Sequence, residues 1–341
     1  MPTLMTKRHC IRSRMRKLLA LGLGFLAICG CSPTTSNTPS AICKTGLLVL
    51  GTGQDAGKPQ IGVHDDPAWR DPARRALATS IALLQYPETE PLAEQSATRP
   101  DIYLFDATPD IKEQLYRLEK FVGEPLPPMS GVFITHAHIG HYLGLAQFGR
   151  EAMGANGVTT YVMARMKDFL THNGPWSQLV KLENISLQEI AHNAPTILDE
   201  NLAITPFLVP HRDEYAETVG YQIKTENQQV IFLPDIDSWN EWSTRGREIN
   251  DVIQENTKLF LDASFFSGDE LPGRDMSKIP HPTIVSSMTR FADLSDHDKN
   301  KVHFIHMNHT NPALDPASQE SRTIERKGFH VAREGDFHCL D

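Results

Sequence analysis

Cysteine is scarce in this 341-residue chain: there are five, and only Cys43 and Cys339 lie beyond residue 31. That excludes a cysteine metal framework and leaves two readings open for the pair, a staple between the ends or two buried thiols. A membrane-spanning stretch is lacking too, because the apolar run Leu18 to Ile28 is shorter than the roughly 20 residues a spanning helix needs. Positive charge is in short supply. The net charge is −9, and losing residues 1–31 removes six basic and no acidic residues, taking it to −15. Such a surface repels polyanions, so nucleic acid is not expected as a partner and a small molecule is the expected substrate. No internal repeat is present, and low-complexity sequence is confined to residues 32–40. The 40% apolar content is ample for one large core.

The first segment is of a different kind. Lys7, Arg8, Arg12, Arg14, Arg16 and Lys17 precede the apolar run, as in a secretory signal. The run ends in Ile28-Cys29-Gly30-Cys31-Ser32, which resembles a bacterial lipobox, with a small residue before the cysteine that is cleaved and acylated. Cys31 is the expected lipidation site; Cys29 fits worse because bulky Ile28 precedes it. A signal cut elsewhere and an uncleaved anchor are the alternatives. The expected organisation is a signal peptide over 1–31, a flexible Ser/Thr/Pro/Asn tether over 32–41, and one domain over 42–341. The implied location is the periplasmic face of a bacterial membrane, the outer membrane being the first choice, with a lipid anchor as the membrane contact.

Short apolar runs alternate with amphipathic stretches through the rest of the chain, which predicts a layered α/β domain. Leu47 to Leu50 reads as a strand entering the turn Gly51-Thr52-Gly53-Gln54-Asp55-Ala56-Gly57, and Thr79–Leu84 and Ile102–Phe105 read as further strands. Helices are expected over Asp110–Phe121 and Leu143–Met153, the second following a buried strand, Gly131–Thr135. Leu202–Val209, Val219–Ile223, Val230–Leu233 and Val302–Ile305 are the later strands, and His211, Asp235 and His306 stand just past three of them.

The segment Thr135-His136-Ala137-His138-Ile139-Gly140-His141 puts three imidazoles within six residues at a strand end, where His136 and His138 can point the same way. Neutral imidazole is the commonest protein ligand for zinc-like ions. Here the chain resembles the metallo-β-lactamase superfamily, whose second motif is His-x-His-x-Asp-His, from residue 46 to the C-terminus. The resemblance implies a four-layer αββα sandwich with metal held by His136, His138, His141, His211, Asp235 and His306, Asp235 bridging two ions. His309 is the alternative to His306. Asp106, in Phe105-Asp106-Ala107-Thr108, would brace the histidine loop. Gly140 departs from the pattern by standing where the family has a second-metal Asp; Asp55 is one candidate to replace it.

Leu261-Asp262-Ala263-Ser264-Phe265 and Ile279-Pro280-His281-Pro282 resemble a loop and a downstream histidine of ribonuclease Z and related phosphodiesterases. The likeness implies that Asp262 orients His281 as general acid; an ordinary strand-end Asp and loop His are the other reading. A further likeness, through residues 51–60 and His306-Met307-Asn308-His309-Thr310-Asn311-Pro312, is to proteins of the pyrroloquinoline quinone biosynthesis protein B type. These lack some first-site histidines and carry cysteines after the Pro-Gln pair, where this chain has Ile61-Gly62-Val63-His64. Arg212 reads either as a holder of an anionic substrate group or as a surface ion-pair partner. Trp176, Trp239 and Trp242 either wall a pocket or pack.

These resemblances imply a hydrolase whose metal-bound hydroxide attacks a small phosphodiester or related ester, with Asp235, Asp262 and His281 in catalytic roles. The expected cofactor is one or two divalent ions, zinc first, with manganese or iron as options. Two rivals remain: an iron-dependent oxidoreductase and a non-catalytic metal-binding protein.

Overall fold

The computed structural model describes residues 43–87 and 99–341. The expected signal peptide, tether and Cys31 lie outside the described residues. Among the described residues no helix is long and apolar enough to cross a membrane.

Two seven-stranded mixed sheets lie face to face. The first takes β1 (Thr45–Gly51), β2 (Ser80–Gln85), β3 (Asp101–Phe105), β4 (Gly131–Phe133), β5 (Val158–Val162) and β6 (Ile185–Glu189) in chain order. The second takes β7 (Thr196–Asp199), β8 (Leu202–Leu208), β9 (Val219–Lys224), β10 (Gln229–Leu233), β11 (Lys258–Asp262), β12 (Val302–Ile305) and β13 (His330–Val331). The last strand, β14 (Phe337–Cys339), crosses back to pair antiparallel with β1, Gly46 opposite Cys339. Cys43 and Cys339 are joined there by a disulfide with Cα atoms 5.7 Å apart, which decides between the two readings of the pair.

The strands read as unbroken apolar runs because both faces are buried. Along β1, Leu47 and Val49 face the second sheet while Leu48 and Leu50 face the outer helices. The inter-sheet core is aromatic: Phe105 stacks on Phe133 with centroids 5.1 Å apart, and both meet Tyr221 edge-on. Outside the first sheet, α1 (Ile111–Val122) buries Ile111 and Leu118 on one stripe, together with Gln114, which accepts from Thr108 and donates to the Ala78 carbonyl.

After α1 come a single turn, α2 (Ile139–Tyr142), then α3 (Ala164–His172) and α4 (Trp176–Lys181). The second sheet is covered by α5 (Trp239–Thr244), α6 (Ile249–Glu255), α7 (Ile284–Arg290), α8 (Asp296–Lys299) and α9 (Gln319–Arg326). Trp239 and Trp242 are packed in this outer core, 4% and 3% exposed, and Trp176 packs on Tyr142 and Phe169. The sandwich is thus α/β with the αββα layering expected.

One expected element differs. Leu143–Met153 is not an α-helix but a short 3-10 segment, Leu143–Phe148, followed by turns. Ala107 N–H donates to the His141 carbonyl and Gly144 N–H to the Ala107 carbonyl, so backbone groups a helix would pair internally are used by the Asp106 loop. Gly144 permits this approach: a Cβ there would lie 2.2 Å from the Thr108 carbonyl oxygen.

Candidate metal centre

The polar side chains in question stand at the carboxyl ends of strands. Asp106 follows β3, the triple-histidine segment follows β4, Asp235 follows β10, Asp262 ends β11 and His306 follows β12. Asp106 (φ 63°) and His306 (φ 65°) turn sharply off their strands into the left-handed region, as does Asp55 (φ 35°). Such strained backbone concentrates where a site over-determines geometry.

Asp106 is fully buried and braces the histidine segment. Its carboxylate accepts from Thr135 N–H at 2.8 Å, from the Thr135 hydroxyl at 2.9 Å and from His141 Nδ1 at 2.7 Å. The remaining His141 nitrogen, Nε2, lies 2.9 Å from Asp235 Oδ2 and 3.4 Å from Asp55 Oδ1. His306 Nε2 is 3.2 Å from the same Asp235 oxygen, and His136 Nε2 is 3.8 Å from it. On the other flank, His138 Nδ1 meets His211 Nε2 at 3.1 Å, and His211 Nε2 is 3.7 Å from Asp235 Oδ1. Asp235 therefore sits between two ligand groups, His136, His138 and His211 on one side and Asp55, His141 and His306 on the other.

The chemistry of these atoms fits a divalent cation. His136 Nε2, His141 Nε2, His306 Nε2 and Asp235 Oδ2 are all buried, and none makes a hydrogen bond among the described residues. Leaving four such atoms unsatisfied is costly unless something else satisfies them. Burial alone raises the Asp235 carboxyl, but His306, His141 and His211 outweigh it and hold it well below the usual range. Burial lowers His141, yet Asp106, Asp235 and Asp55 prevail and keep it well above an ordinary imidazole. His136, by contrast, is driven well below, first by burial and then by His141. The carboxylates of Asp106, Asp235 and Asp55 thus converge on His141, a setting that suits a bound cation.

Gly140 is explained by Asp55. A Cβ at residue 140 would lie 2.4 Å from Asp55 Cα and 2.5 Å from its Oδ1, so the Asp55 loop fills the volume of the missing side chain. That loop is fastened to the end of β12: Gln54 N–H donates to the Met307 carbonyl and Met307 N–H to that of Thr52, each at 2.8 Å. Asn308 donates to Gln54 Oε1 at 2.7 Å. His309 belongs to neither ligand group; it is only partly buried, and the charges acting on it are Lys58 and Asp66. The choice at this strand end falls to His306.

Beside the centre, His281 Nδ1 donates to Asp262 Oδ2 at 2.7 Å and lies 3.8 Å from Asp235 Oδ1. Asp262 is fully buried, its other oxygen accepting from the Ser264 N–H and hydroxyl. Burial lowers His281, but Asp262, Asp235 and Asp237 overcome it and carry it up to about 9. Three partners had not been expected. Asp237 accepts from His211 Nδ1 at 2.6 Å, Glu214 lies 3.0 Å from His138 Nε2, and Thr135 bonds His136 Nδ1 at 2.9 Å. Asp237, two residues beyond Asp235, had a sequence signal; the half-exposed Glu214 had none. Arg212 is exposed and lies 3.7 Å from Glu214, the ion-pair reading.

With this geometry in hand, comparison places the protein among known folds. Residues 102–307 match the Beta-lactamase superfamily domain, and the chain belongs to that superfamily, in its metallo-β-lactamase form. It is 25% identical over 316 residues to the coenzyme PQQ synthesis protein B of Xanthomonas oryzae pv. oryzae (strain MAFF 311018), covering 85% of this chain and 98% of the relative. The protein of the same name from Bradyrhizobium diazoefficiens is 24% identical over 330 residues, covering 85% and 97%. Among solved structures, the Zn(2+)-bound PqqB from Methylobacterium extorquens superposes with a TM-score of 0.67 at 20% identity, covering 86% of this chain and all of that one. A diphosphatase from the PhnP family follows at 0.59 and 23% identity, covering 87% and 98%.

Proposed function

We propose that this protein is a metal-dependent hydrolase of small phosphodiesters, holding two divalent ions. His136, His138 and His211 would hold one ion, Asp55, His141 and His306 the other, with Asp235 between them. Zinc suits the imidazole-rich set, and manganese or iron are the alternatives. When bound, such ions supply Lewis acidity and lower the pKa of a coordinated water towards neutrality.

The observation that carries the hydrolytic reading is the Asp262–His281 pair, set against the same aspartate as the histidine cluster. With Nδ1 committed to Asp262, His281 presents Nε2, which no hydrogen bond among the described residues engages, as the proton donor. The bond between phosphorus and the leaving oxygen breaks, and that oxygen keeps the electron pair and takes the His281 proton. Water supplies the hydroxyl that ends on phosphorus, and its released proton returns to His281 through solvent. Asp262, held by Ser264 and the Ile236 N–H, fixes the ring and sustains its charge. The diphosphatase with the same fold supports chemistry at phosphorus.

The test is elemental analysis of the purified protein, then phosphodiester hydrolysis by wild type and His138→Ala with zinc, manganese or iron restored. Bound metal, with turnover lost in the variant, supports the proposal. The alternative is iron-dependent oxidation; iron with oxygen uptake and no hydrolysis would establish it instead. Bound metal with neither activity would make the protein a binding module. We further propose that Cys31 carries a lipid anchoring the domain at the periplasmic face, which mass spectrometry of membrane-extracted protein would check.

A further inference from the structure

Beside His281, on the excursion between β11 and α7, a cavity of about 820 Å³ opens to solvent. Its lining includes His281, Asp237, Met276, Ile279, Arg274 and Arg290. Most of its charges are already committed. Asp237 accepts from His211, Asp275 pairs with Lys278 at 3.1 Å, and Arg290 is bound to Asn240 and to Glu248 at 3.0 Å.

Arg274 differs. Among the described residues, no ion pair or hydrogen bond engages its guanidinium, although a built turn presents it: Arg274 N–H donates to the Leu271 carbonyl, and Gly273 supplies φ 78°. An unpaired guanidinium offers a planar fork of donors that matches phosphate or carboxylate oxygens.

The position gives the cavity its meaning, and the argument rests on the hydrolase reading above. A general acid stands beside the leaving oxygen, so space on the His281 side of the centre receives the leaving alcohol. We propose that this cavity is the leaving-group subsite, and that Arg274 there binds a second anionic group, a phosphate or carboxylate, carried by the alcohol portion of the substrate. Met276 and Ile279 line the same cavity and suit a short carbon skeleton between the two charged ends. The substrate class is thus a phosphodiester whose leaving alcohol is itself anionic, not a neutral alkyl ester.

The test is calorimetric binding, which needs no turnover. The probes are straight-chain alkanediol bisphosphates of two to six carbons and the matching alkyl monophosphates, titrated into metal-loaded protein. Wild type should bind the best bisphosphate at least tenfold more tightly than its monophosphate, roughly the value of one charge-assisted arginine–phosphate contact. Arg274→Met should reduce that preference below twofold with monophosphate affinity unchanged, and Arg274→Lys should recover part of it. No preference in wild type, or an equal loss for both ligands in Arg274→Met, overturns the proposal. A wild type that shows the preference yet cleaves no phosphodiester retains the subsite and sinks the hydrolase reading. One that cleaves but shows no preference sinks the subsite alone.

Discussion

Restoring the family's usual aspartate by Gly140→Asp should damage this protein. The new Cβ would lie 2.4 Å from Asp55 Cα, about 1 Å inside ordinary contact, so the Asp55 loop must withdraw by that much. It cannot do so freely. Thr52 and Gly53 N–H both donate to the Leu77 carbonyl, Gln54 to Met307, and Lys58 to Ala76 at 2.7 Å. Loss of one or two of these bonds at about 1 kcal/mol each, added to about 1–3 kcal/mol for overpacking, gives roughly 2–5 kcal/mol. The added carboxylate would also crowd that of Asp55, setting two like charges at one position. Urea unfolding of metal-free protein should show this loss for Gly140→Asp and most of it for Gly140→Ala, and elemental analysis should show the second ion lost from both. Asp55→Asn should lose the second ion with stability nearly unchanged. A Gly140→Asp protein as stable as wild type within about 0.5 kcal/mol, and holding its second ion more tightly, would refute the assignment of Asp55 to this role.

Other expectations concern the rest of the molecule. His281→Gln should lower kcat by about 10²–10⁴ on phosphodiesters with alkyl leaving groups but far less on p-nitrophenyl esters, whose leaving group needs no proton; an equal loss on both would remove the general-acid role. Cys339→Ser should cost about 2–4 kcal/mol in thermal or urea unfolding, since the disulfide joins residues 296 apart, and reductant should bring wild type to the same value. A pH effect is expected from the histidines packed about Phe260. Burial, then Lys258 and neighbouring histidines, depresses His303 to about 2 and His338 to about 4. Both are neutral in the folded state, so stability is present above about pH 6.5 and is lost as pH falls towards 4 and the unfolded chain gains protons. His338 Nε2 is buried without a partner, so His338→Leu sacrifices no hydrogen bond there. Urea midpoints should fall less steeply between pH 6 and 4.5 in this variant, by up to about 1.4 kcal/mol per pH unit.

What could be read in advance follows from how local each feature is. The central strands of both sheets were legible because burial on two faces makes unbroken apolar runs, whereas β5, β6, β7, β13 and β14, with their shorter or partly exposed runs, were not anticipated. The triple histidine was legible because its spacing and its place after a strand are features of one segment. Asp106 and the Asp262–His281 pair came through family resemblance, and the hydrogen bonds to Asp106 and Asp262 give them physical content. Residue 140 was legible only as a gap, since its filler arrives from a loop 85 positions earlier and the fit depends on a backbone approach. The misread helix after His141 has the same origin: propensity favoured it, but the carbonyls of Ala107 and His141 are paired across segments. Glu214 is a surface acid in sequence and becomes a partner of His138 only through the fold.

The direction of β1 sets which end of the sandwich is left open. β1 and β3 both pair antiparallel with β2, so they run the same way, and the metal-binding side chains gather where both strands finish. Cys43 stands at the start of β1, seven strand residues and so about 20–25 Å from that end. The start of β1 and the metal-binding side chains thus stand at opposite poles of the sandwich. Anything fastened beside Cys43 would leave the metal-binding end of the sandwich open on the far side.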